Sequence, residues 1–187
     1  MNSPNVYGYG THIIPLALAV EVTTGPVVEF GAGLFSTPFL NYYCVKAESP
    51  RKVWSYEENS AWLNRLDHLL IEKDDNHRLI HVPDIMDWVK VVEDVKAIKP
   101  SVLLIDNELP QRIQATRYRI RKALAYELLD HCEIMIMHDT ESLPYTDDPE
   151  WQEFTMKAKL HHTCKRMSPW TDVLSNNPRD WKLQGLF

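Results

Sequence analysis

The chain has 187 residues, which is the size of one ordinary domain with a substantial core. Apolar residues make up 44% of it and charged residues 25%, and this balance excludes a disordered or a membrane-embedded chain. The net charge of −6 argues against electrostatic attraction to nucleic acid or to an anionic membrane. We therefore expect a single domain over residues 1–187, with nucleic acid and membranes disfavoured as partners.

The cysteines indicate the compartment. Cys44, Cys132 and Cys164 are an odd, widely spaced set without a CxxC pair. Such a set is typical of reduced thiols and not of a disulfide framework or a zinc site. The N-terminus lacks the basic-then-apolar order of a signal peptide, and no apolar run approaches the length of a membrane span. We therefore expect a cytoplasmic protein.

Apolar strand-like runs alternate with helical segments along the chain, a pattern that predicts an α/β fold. Residues 1–24 form an N-terminal arm with a helix over 13–22, which Thr11 is placed to cap. Residues 142–153 are turn-rich and acidic, and we expect a loop there. The predicted strands lie at 27–29, 52–57, 78–82, 101–106, 133–138, 154–166 and within 168–176.

The stretch after the first predicted strand has the composition of a nucleotide-binding turn. The strand from Val27 ends at an acid, and Gly31 and Gly33 then supply a tight turn where a ligand can approach the backbone. Ser36 and Thr37 stand where a helix would begin, so their hydroxyls can cap its free N–H groups. Two glycines alone do not identify the ligand.

Glu29 narrows the choice of ligand. A carboxylate two residues before the glycines would repel the pyrophosphate of a dinucleotide, so a ligand with a positive group is expected. The run from Glu29 to Gly33, followed by Ser36 and Thr37, resembles motif I of the class I S-adenosylmethionine-dependent methyltransferases. The third glycine of many members is absent here, where Leu34 and Phe35 stand.

The resemblance implies a fold and a set of cofactor residues. The fold would be a Rossmann-like three-layer sandwich: a mostly parallel seven-stranded sheet with a C-terminal antiparallel pair and helices on both faces. Glu57 lies roughly 20 residues past the glycine turn, where an acid can bind a ribose diol. By the same resemblance Asp84, just past the third strand, would meet the adenine amino group. Glu29, Gly31, Gly33, Ser36 and Thr37 complete the set for S-adenosyl-L-methionine and its product S-adenosyl-L-homocysteine.

Three residues at the ends of the fourth and fifth predicted strands are candidates for catalysis. Asp106 ends one strand, and His138 and Asp139 end the other. A histidine can serve as a general base for an acceptor hydroxyl, and a neighbouring acid can orient it or contact the acceptor. A structural histidine at a strand end is the alternative.

Residues outside the sheet could also reach the acceptor. In the methyltransferases that this sequence resembles, the segment before the first strand lies close to the acceptor. Tyr9 and His12 are therefore candidates for acceptor contacts; the alternative is that this segment forms only a turn and a helix cap. The predicted helix 111–129 carries many basic residues and no acid before Glu127. It is either a solvated face or a patch that steers an anionic acceptor, with Arg112 nearest the site.

A divalent metal is also conceivable but not favoured. Asp106, Asn107 and Asp139 resemble the carboxylate-amide oxygen sites of the magnesium-dependent catechol-type methyltransferases. In those enzymes the Asp-Asn pair follows the fifth strand, whereas here it follows the fourth.

The sequence thus predicts a methyltransferase that acts on a small polar molecule, with oxygen preferred as the nucleophile. No insertion is large enough for a lid domain, so the N-terminal arm or the second subunit of a homodimer could close the site. A non-catalytic binding subunit of the same fold is the first alternative. An NAD-dependent oxidoreductase is the second, and Glu29 argues against it.

Overall fold

The computed structural model describes residues 10–45, 48–70, 75–84, 87–107, 114–141, 143–165 and 168–176. Helices and strands alternate along most of the chain. The strands are β1 (Val27–Phe30), β2 (Val53–Glu57), β3 (His77–His81), β4 (Val102–Ile105), β5 (Ile134–His138), β6 (Leu160–Cys164) and β7 (Thr171–Ser175). The helices are α1 (Ile13–Val22), α2 (Ser36–Leu40, continued by a π turn over Asn41–Val45), α3 (Ser60–Asp67), α4 (Asp87–Ile98), α5 (Gln114–Leu128, followed by a 3-10 turn over Leu129–His131), α6 (Leu143–Thr146) and α7 (Pro149–Lys157).

The strands form one seven-stranded sheet in the order β3-β2-β1-β4-β5-β7-β6. The first five strands are parallel, β7 is antiparallel to β5, and β6 is antiparallel to β7. The expected mostly parallel sheet with a C-terminal antiparallel pair is therefore confirmed. Because the strand order reverses between β1 and β4, a crevice forms at the carboxyl ends of these strands, where ligands bind in open α/β sheets.

Both faces of the sheet are covered, and each has its own apolar core. Alternate residues of a strand point to opposite faces, so each strand contributes to both cores. Helices α1 and α2 pack on the face formed by Val27, Val53, Leu104, Ile136 and Val173. Helices α4, α5 and α7 pack on the other face, formed by Val28, Leu103, Ile105, Met135, Met137 and Leu174.

Helix α1 occupies the predicted range, but its start differs from the expectation. Its apolar side buries Leu16, Ala19 and Val20 against the sheet. The predicted cap by Thr11 is wrong: the N-cap residue is His12, without a side-chain cap, and Thr11 Oγ1 donates instead to the carbonyl of Pro169 at 2.8 Å. The Thr11 hydroxyl is therefore used in a tertiary hydrogen bond and not in a helix cap. Among the described helices, none has the length and apolar character that a membrane crossing needs.

The expected loop over 142–153 is wrong, because α6 and α7 lie there. Asp148 caps α7 by accepting from the backbone N–H groups of Glu150 at 2.9 Å and Trp151 at 3.4 Å. Pro149 follows at the first helical position, which suits a proline. Since α7 buries Trp151 and continues to Lys157, the strand predicted from 154 begins only at Leu160.

We expect Gly31→Ala to destabilise the fold much more than Gly33→Ala. Gly31 has φ +84°, and a Cβ there would lie 2.5 Å from the backbone of Asn107, which cannot move aside. At Gly33 a Cβ would meet only the Ser36 hydroxyl, at 2.9 Å. We expect Gly31→Ala to lower the free energy of unfolding by more than about 2 kcal/mol, as measured by urea denaturation. Equal losses in the two variants would contradict this close approach of the β1 turn to the end of β4.

Candidate active site at the carboxyl ends of the strands

Glu29 holds the glycine turn in place. Its side chain is fully buried, and its Oε2 accepts hydrogen bonds from Thr37 Oγ1 at 2.8 Å and Ser55 Oγ at 2.5 Å. Thr37 Oγ1 in turn accepts from the backbone N–H of Gly33 at 2.8 Å. The carboxylate is therefore linked through one hydroxyl to the backbone of the turn.

The predicted capping by Ser36 and Thr37 is wrong. Helix α2 starts at Ser36, and its N-cap residue is Phe35, without a side-chain cap. Thr37 cannot cap because its hydroxyl is already engaged between Gly33 and Glu29. Ser36 is buried, and its hydroxyl has no hydrogen-bond partner among the described residues.

A chain of hydrogen bonds extends from Glu29 to the edge strand. Ser55 Oγ lies 3.0 Å from His77 Nε2, and His77 Nδ1 lies 3.1 Å from Asn41 Nδ2. Since Ser55 gives its proton to Glu29, Nε2 of His77 must be the donor to Ser55, and Nδ1 accepts from the Asn41 amide. A neutral His77 with its proton on Nε2 thus joins β3, β2, β1 and the π turn.

Burial controls the ionisation of Glu29. Burial raises its pKa to about 7, although nearby serine and threonine hydroxyls oppose the shift. Its Oε1 has no hydrogen-bond partner among the described residues. A positive group placed beside Oε1 would satisfy this oxygen and favour the ionised form.

Two further acids lie at the same edge of the sheet. Glu57 ends β2, is 5% exposed, and accepts at Oε1 from the backbone N–H of Asn59 at 2.9 Å. Asp84 is exposed and follows β3, beyond a backbone hydrogen bond of 2.9 Å from Val82 N–H to the Glu57 carbonyl. The structure therefore brings the three predicted cofactor acids to the ends of adjacent parallel strands. Their binding roles stay predictions.

His138 lies within a polar cluster at the ends of β4 and β5. Its Nδ1 is 3.1 Å from Oδ1 of Asp106 and 3.5 Å from Oδ1 of Asp139. Its Nε2 is 3.0 Å from Thr11 Oγ1. Burial alone would lower the pKa of His138, but Asp106 and Asp139 outweigh it and raise the pKa above the ordinary value.

Arg121 is a residue of this cluster that the sequence does not single out. Its side chain, on α5, is fully buried. Nη2 donates to Oδ1 of Asp106 at 3.0 Å, Nη1 lies 3.4 Å from Oδ2 of Asp139, and Nε donates to the carbonyl of Asn107 at 2.8 Å. Nη1 also donates to the carbonyl of His138 at 3.1 Å. One guanidinium therefore ties the end of β4 to the end of β5.

The expected solvated face of this helix is thus wrong at Arg121. It is also wrong at Lys122, whose ammonium pairs with Asp148. A signal was present in the sequence, because two strands that end in buried acids require a positive partner. Tyr9 and Arg112, the predicted acceptor contacts, lie outside the described residues.

Asp139 has an unusual backbone conformation. Its φ of +61° is in the left-handed region, where residues other than glycine are uncommon and Asp is among the better tolerated. The contacts of Arg121 with its carboxylate and with the preceding carbonyl hold it there. Strain of this kind is frequent at functional sites.

His12 completes the cluster from the start of α1. Its ring lies edge-on to His138 with the centroids 4.5 Å apart, and it is 2% exposed. Neither ring nitrogen has a hydrogen-bond partner among the described residues. Burial lowers the pKa of His12 to about 4, so the ring is neutral at pH 7.

These groups do not favour a metal ion. His12, Asp106 and His138 offer ligand atoms within 4.8 Å of one another, and two imidazoles with a carboxylate can bind a transition metal. However, Arg121 already pairs with Oδ1 of Asp106 at 3.0 Å, so a dication bound by this carboxylate would face a fixed positive charge. Arg121 likewise pairs with Asp106 and Asp139, the two carboxylates of the alternative oxygen site, whereas the side-chain amide of Asn107 is buried without a hydrogen-bond partner among the described residues.

Solved methyltransferase structures share this arrangement of strands and helices, whereas no family model and no curated protein matches the sequence. The delta-N METTL16 methyltransferase domain aligns with a TM-score of 0.62 and 12% identity, over 92% of this chain and 84% of that chain. The chain has the class I methyltransferase fold. A human methyltransferase 10 domain containing protein aligns with a TM-score of 0.58 and 14% identity, over 94% of this chain and 84% of that chain.

A third methyltransferase structure corrects the expectation about nucleic acid. The METTL16 catalytic domain in complex with MAT2A 3′UTR hairpin 6 aligns with a TM-score of 0.60 and 12% identity, over 96% of this chain and 74% of that chain. The expectation that nucleic acid is an unlikely partner is therefore wrong, because a protein of this fold forms such a complex. Overall charge is a poor guide, since a local surface and not the net charge meets a partner.

We expect Arg121→Met to be strongly destabilising. The substitution leaves the partly buried acids Asp106 and Asp139 without their cation and should lower the free energy of unfolding by about 3 kcal/mol, the lower end for a buried pair. Lys96→Met removes an exposed cation that pairs with Glu93 and Glu127, so it should change stability little. Urea denaturation of both variants is the measurement. Similar effects would mean that the guanidinium is not needed at the strand ends.

We expect Glu29→Gln to change how stability depends on pH. The pKa of Glu29 is raised in the folded protein to about 7, so the unfolded chain releases this proton first as the pH rises. The free energy of unfolding of the wild-type protein therefore falls between pH 4.5 and 7 because of Glu29, and that of the Glu29→Gln variant lacks this decrease. The difference in unfolding free energy should shift in favour of Glu29→Gln by about 2–3 kcal/mol between pH 5 and pH 8. A constant difference would contradict the raised pKa.

Proposed function

We propose that this protein is an S-adenosyl-L-methionine-dependent methyltransferase. The observation that carries the proposal is Glu29, a buried acid at the glycine turn of a class I methyltransferase fold, whose Oε1 lacks a hydrogen-bond partner among the described residues. Burial raises the pKa of this carboxyl to about 7, and the hydroxyls of Ser36, Ser55 and Thr37 offset that cost only in part. A cationic ligand beside Oε1 would remove the remainder. When bound, the cofactor supplies an electrophilic methyl group on a positively charged sulfur.

The residues at the ends of β1 to β3 fit this cofactor. Glu29 would accept from its ammonium group, Glu57 would accept from the ribose hydroxyls, and Asp84 would accept from the adenine amino group. The turn at Gly31 and Gly33 is held rigid through Thr37, so the binding surface exists before the ligand arrives.

The acceptor would bind above the ends of β4 and β5. Asp106 and Asp139 are the cluster members with appreciable exposure, 20% and 26% of their side chains, and His12 lies beside them. Carboxylates hold hydroxyl groups well because they accept strong hydrogen bonds. We propose a small polar molecule that is methylated on oxygen, and the chain's part is to orient its hydroxyl and remove its proton.

Nucleic acid is a second candidate acceptor. The METTL16 complex with a hairpin favours it, because that domain superposes on 96% of this chain. Sugars and nucleobases both present polar hydroxyl or amino groups, and either could meet Asp106.

Calorimetry tests the cofactor site. We expect S-adenosylhomocysteine to bind with micromolar affinity and NADH not to bind. Glu57→Gln should weaken binding about 10-fold or more, because a hydrogen bond to a charged group is lost. Glu127→Gln removes an equal charge from an exposed position on α5, where Glu127 pairs with Lys96, and serves as the control, with unchanged affinity expected. Binding of NADH without the homocysteine would overturn the proposal.

A transfer assay with radiolabelled S-adenosylmethionine tests the acceptor. The panel contains sugars, small phenols and polyols in one arm and RNA hairpins in the other. Transfer in the first arm supports the small-molecule acceptor, and transfer only to the hairpins replaces it. Tight cofactor binding with no transfer in either arm would favour a non-catalytic subunit.

A further inference from the structure

The hydrogen bonds around His138 define its protonation state. Thr11 Oγ1 donates its single proton to the carbonyl of Pro169 at 2.8 Å, so toward His138 Nε2, 3.0 Å away, it can only accept. Nε2 of His138 must therefore carry a hydrogen. This hydroxyl comes from the residue before His12.

The other ring nitrogen of His138 must also carry a hydrogen. Nδ1 lies 3.1 Å from Oδ1 of Asp106, an oxygen that also accepts from the guanidinium of Arg121. His138 and Arg121 hold the pKa of Asp106 well below its usual range despite burial, so this acid is ionised and can only accept. With hydrogens on both nitrogens, His138 is an imidazolium and has no lone pair with which to take a proton.

His12 is the complementary case. Its two nitrogens have no hydrogen-bond partner among the described residues, although the ring is 2% exposed. Four charged groups face the ring. Asp106 and Asp139 raise the pKa of His12, and His138 and Arg121 lower it. Two negative and two positive charges nearly cancel, so burial decides and the ring is neutral.

We infer that His12 accepts the proton of the methyl acceptor, and that His138 is a charged positioning residue fixed by Asp106 and Thr11. The inference rests on the proposed methyltransferase activity and reverses the roles that the sequence suggests. A neutral nitrogen without a partner has a lone pair, whereas the neighbouring imidazolium has none. Both nitrogens of His12 are shielded from solvent, so the bound acceptor has to displace the groups that cover the ring before it can give up its proton there.

The proton transfer balances with His12 as the base. The acceptor oxygen forms a bond to the methyl carbon through its lone pair, and the electrons of the old carbon–sulfur bond stay on sulfur. The acceptor proton moves to a ring nitrogen of His12 and then to water. A weak base is sufficient, because a hydroxyl oxygen that is bonding to carbon becomes strongly acidic. Repulsion from the imidazolium of His138 then speeds the release of this proton.

Nitrogen NMR of the protein labelled with ¹⁵N-histidine tests the protonation states without any acceptor. At pH 7 we expect His138 to show two protonated ring nitrogens and His12 to show a neutral ring. Spectra of His12→Gln and His138→Gln assign the two sets of signals, and Thr11→Val should lower the pH at which His138 titrates. A neutral His138 or a charged His12 at pH 7 would overturn the inference.

The transfer assay tests the catalytic role. We expect His12→Gln to keep its affinity for S-adenosylhomocysteine within twofold and to slow methyl transfer by about 10²–10⁴-fold, the usual contribution of a general base. Added imidazole should partly restore His12→Ala but not His138→Ala. His131→Gln, an exposed histidine in the 3-10 turn after α5, should transfer at the wild-type rate.

The outcomes separate this inference from the proposed function. A wild-type protein that transfers methyl groups as fast as its His12→Gln variant would refute the role of His12 alone. A wild-type protein that binds no S-adenosylhomocysteine would refute the methyltransferase proposal, and the inference would fall with it.

Discussion

The hydrogen bonds and ion pairs of the Arg121 guanidinium are the interactions on which the ends of β4 and β5, the proposed acceptor site, depend. Two parallel strands end in acids that are close together and largely shielded from water, an arrangement that is unfavourable without a positive partner. Arg121 supplies that charge from α5 and also donates to the carbonyls of Asn107, which follows β4, and of His138, the last residue of β5. Its planar fork suits this task, since it presents several donors in fixed directions.

The cofactor half follows a different rule. Glu29 is held by hydroxyls and has no arginine, so its negative charge is only partly compensated. The two acids thus differ in their pKa. The partners of Asp106 lower its pKa and keep it ionised, whereas burial raises the pKa of Glu29 to about 7. Of the two, only Glu29 lacks a positive partner among the described residues, and a cationic ligand could supply one.

The sequence predicts the centre of the sheet well because β4 and β5 are nearly continuous apolar runs that are followed by acids. It also brings Glu29, Glu57 and Asp84 to one edge, since parallel strands share their carboxyl ends. Arg121 could not be found in this way, because helical spacing does not reveal which of several basic residues turns inward. Thr11 was assigned to a local cap, and a partner 158 residues away in the chain took its hydroxyl instead.

The two halves of the site differ in how far apart in the chain their components lie. Each hydrogen bond of the network around Glu29 joins residues at most 36 positions apart in the chain. Thr11, in contrast, contacts His138 across 127 positions and Pro169 across 158. Long loops close at a greater entropic cost and late in folding, so the network around Glu29 can assemble before Thr11 meets His138 and Pro169. The hydrogen bond from Thr11 to Pro169 joins the N-terminal segment to the β6–β7 hairpin. The ring of His12, the proposed proton acceptor, therefore becomes shielded from water only when these two parts of the chain have come together.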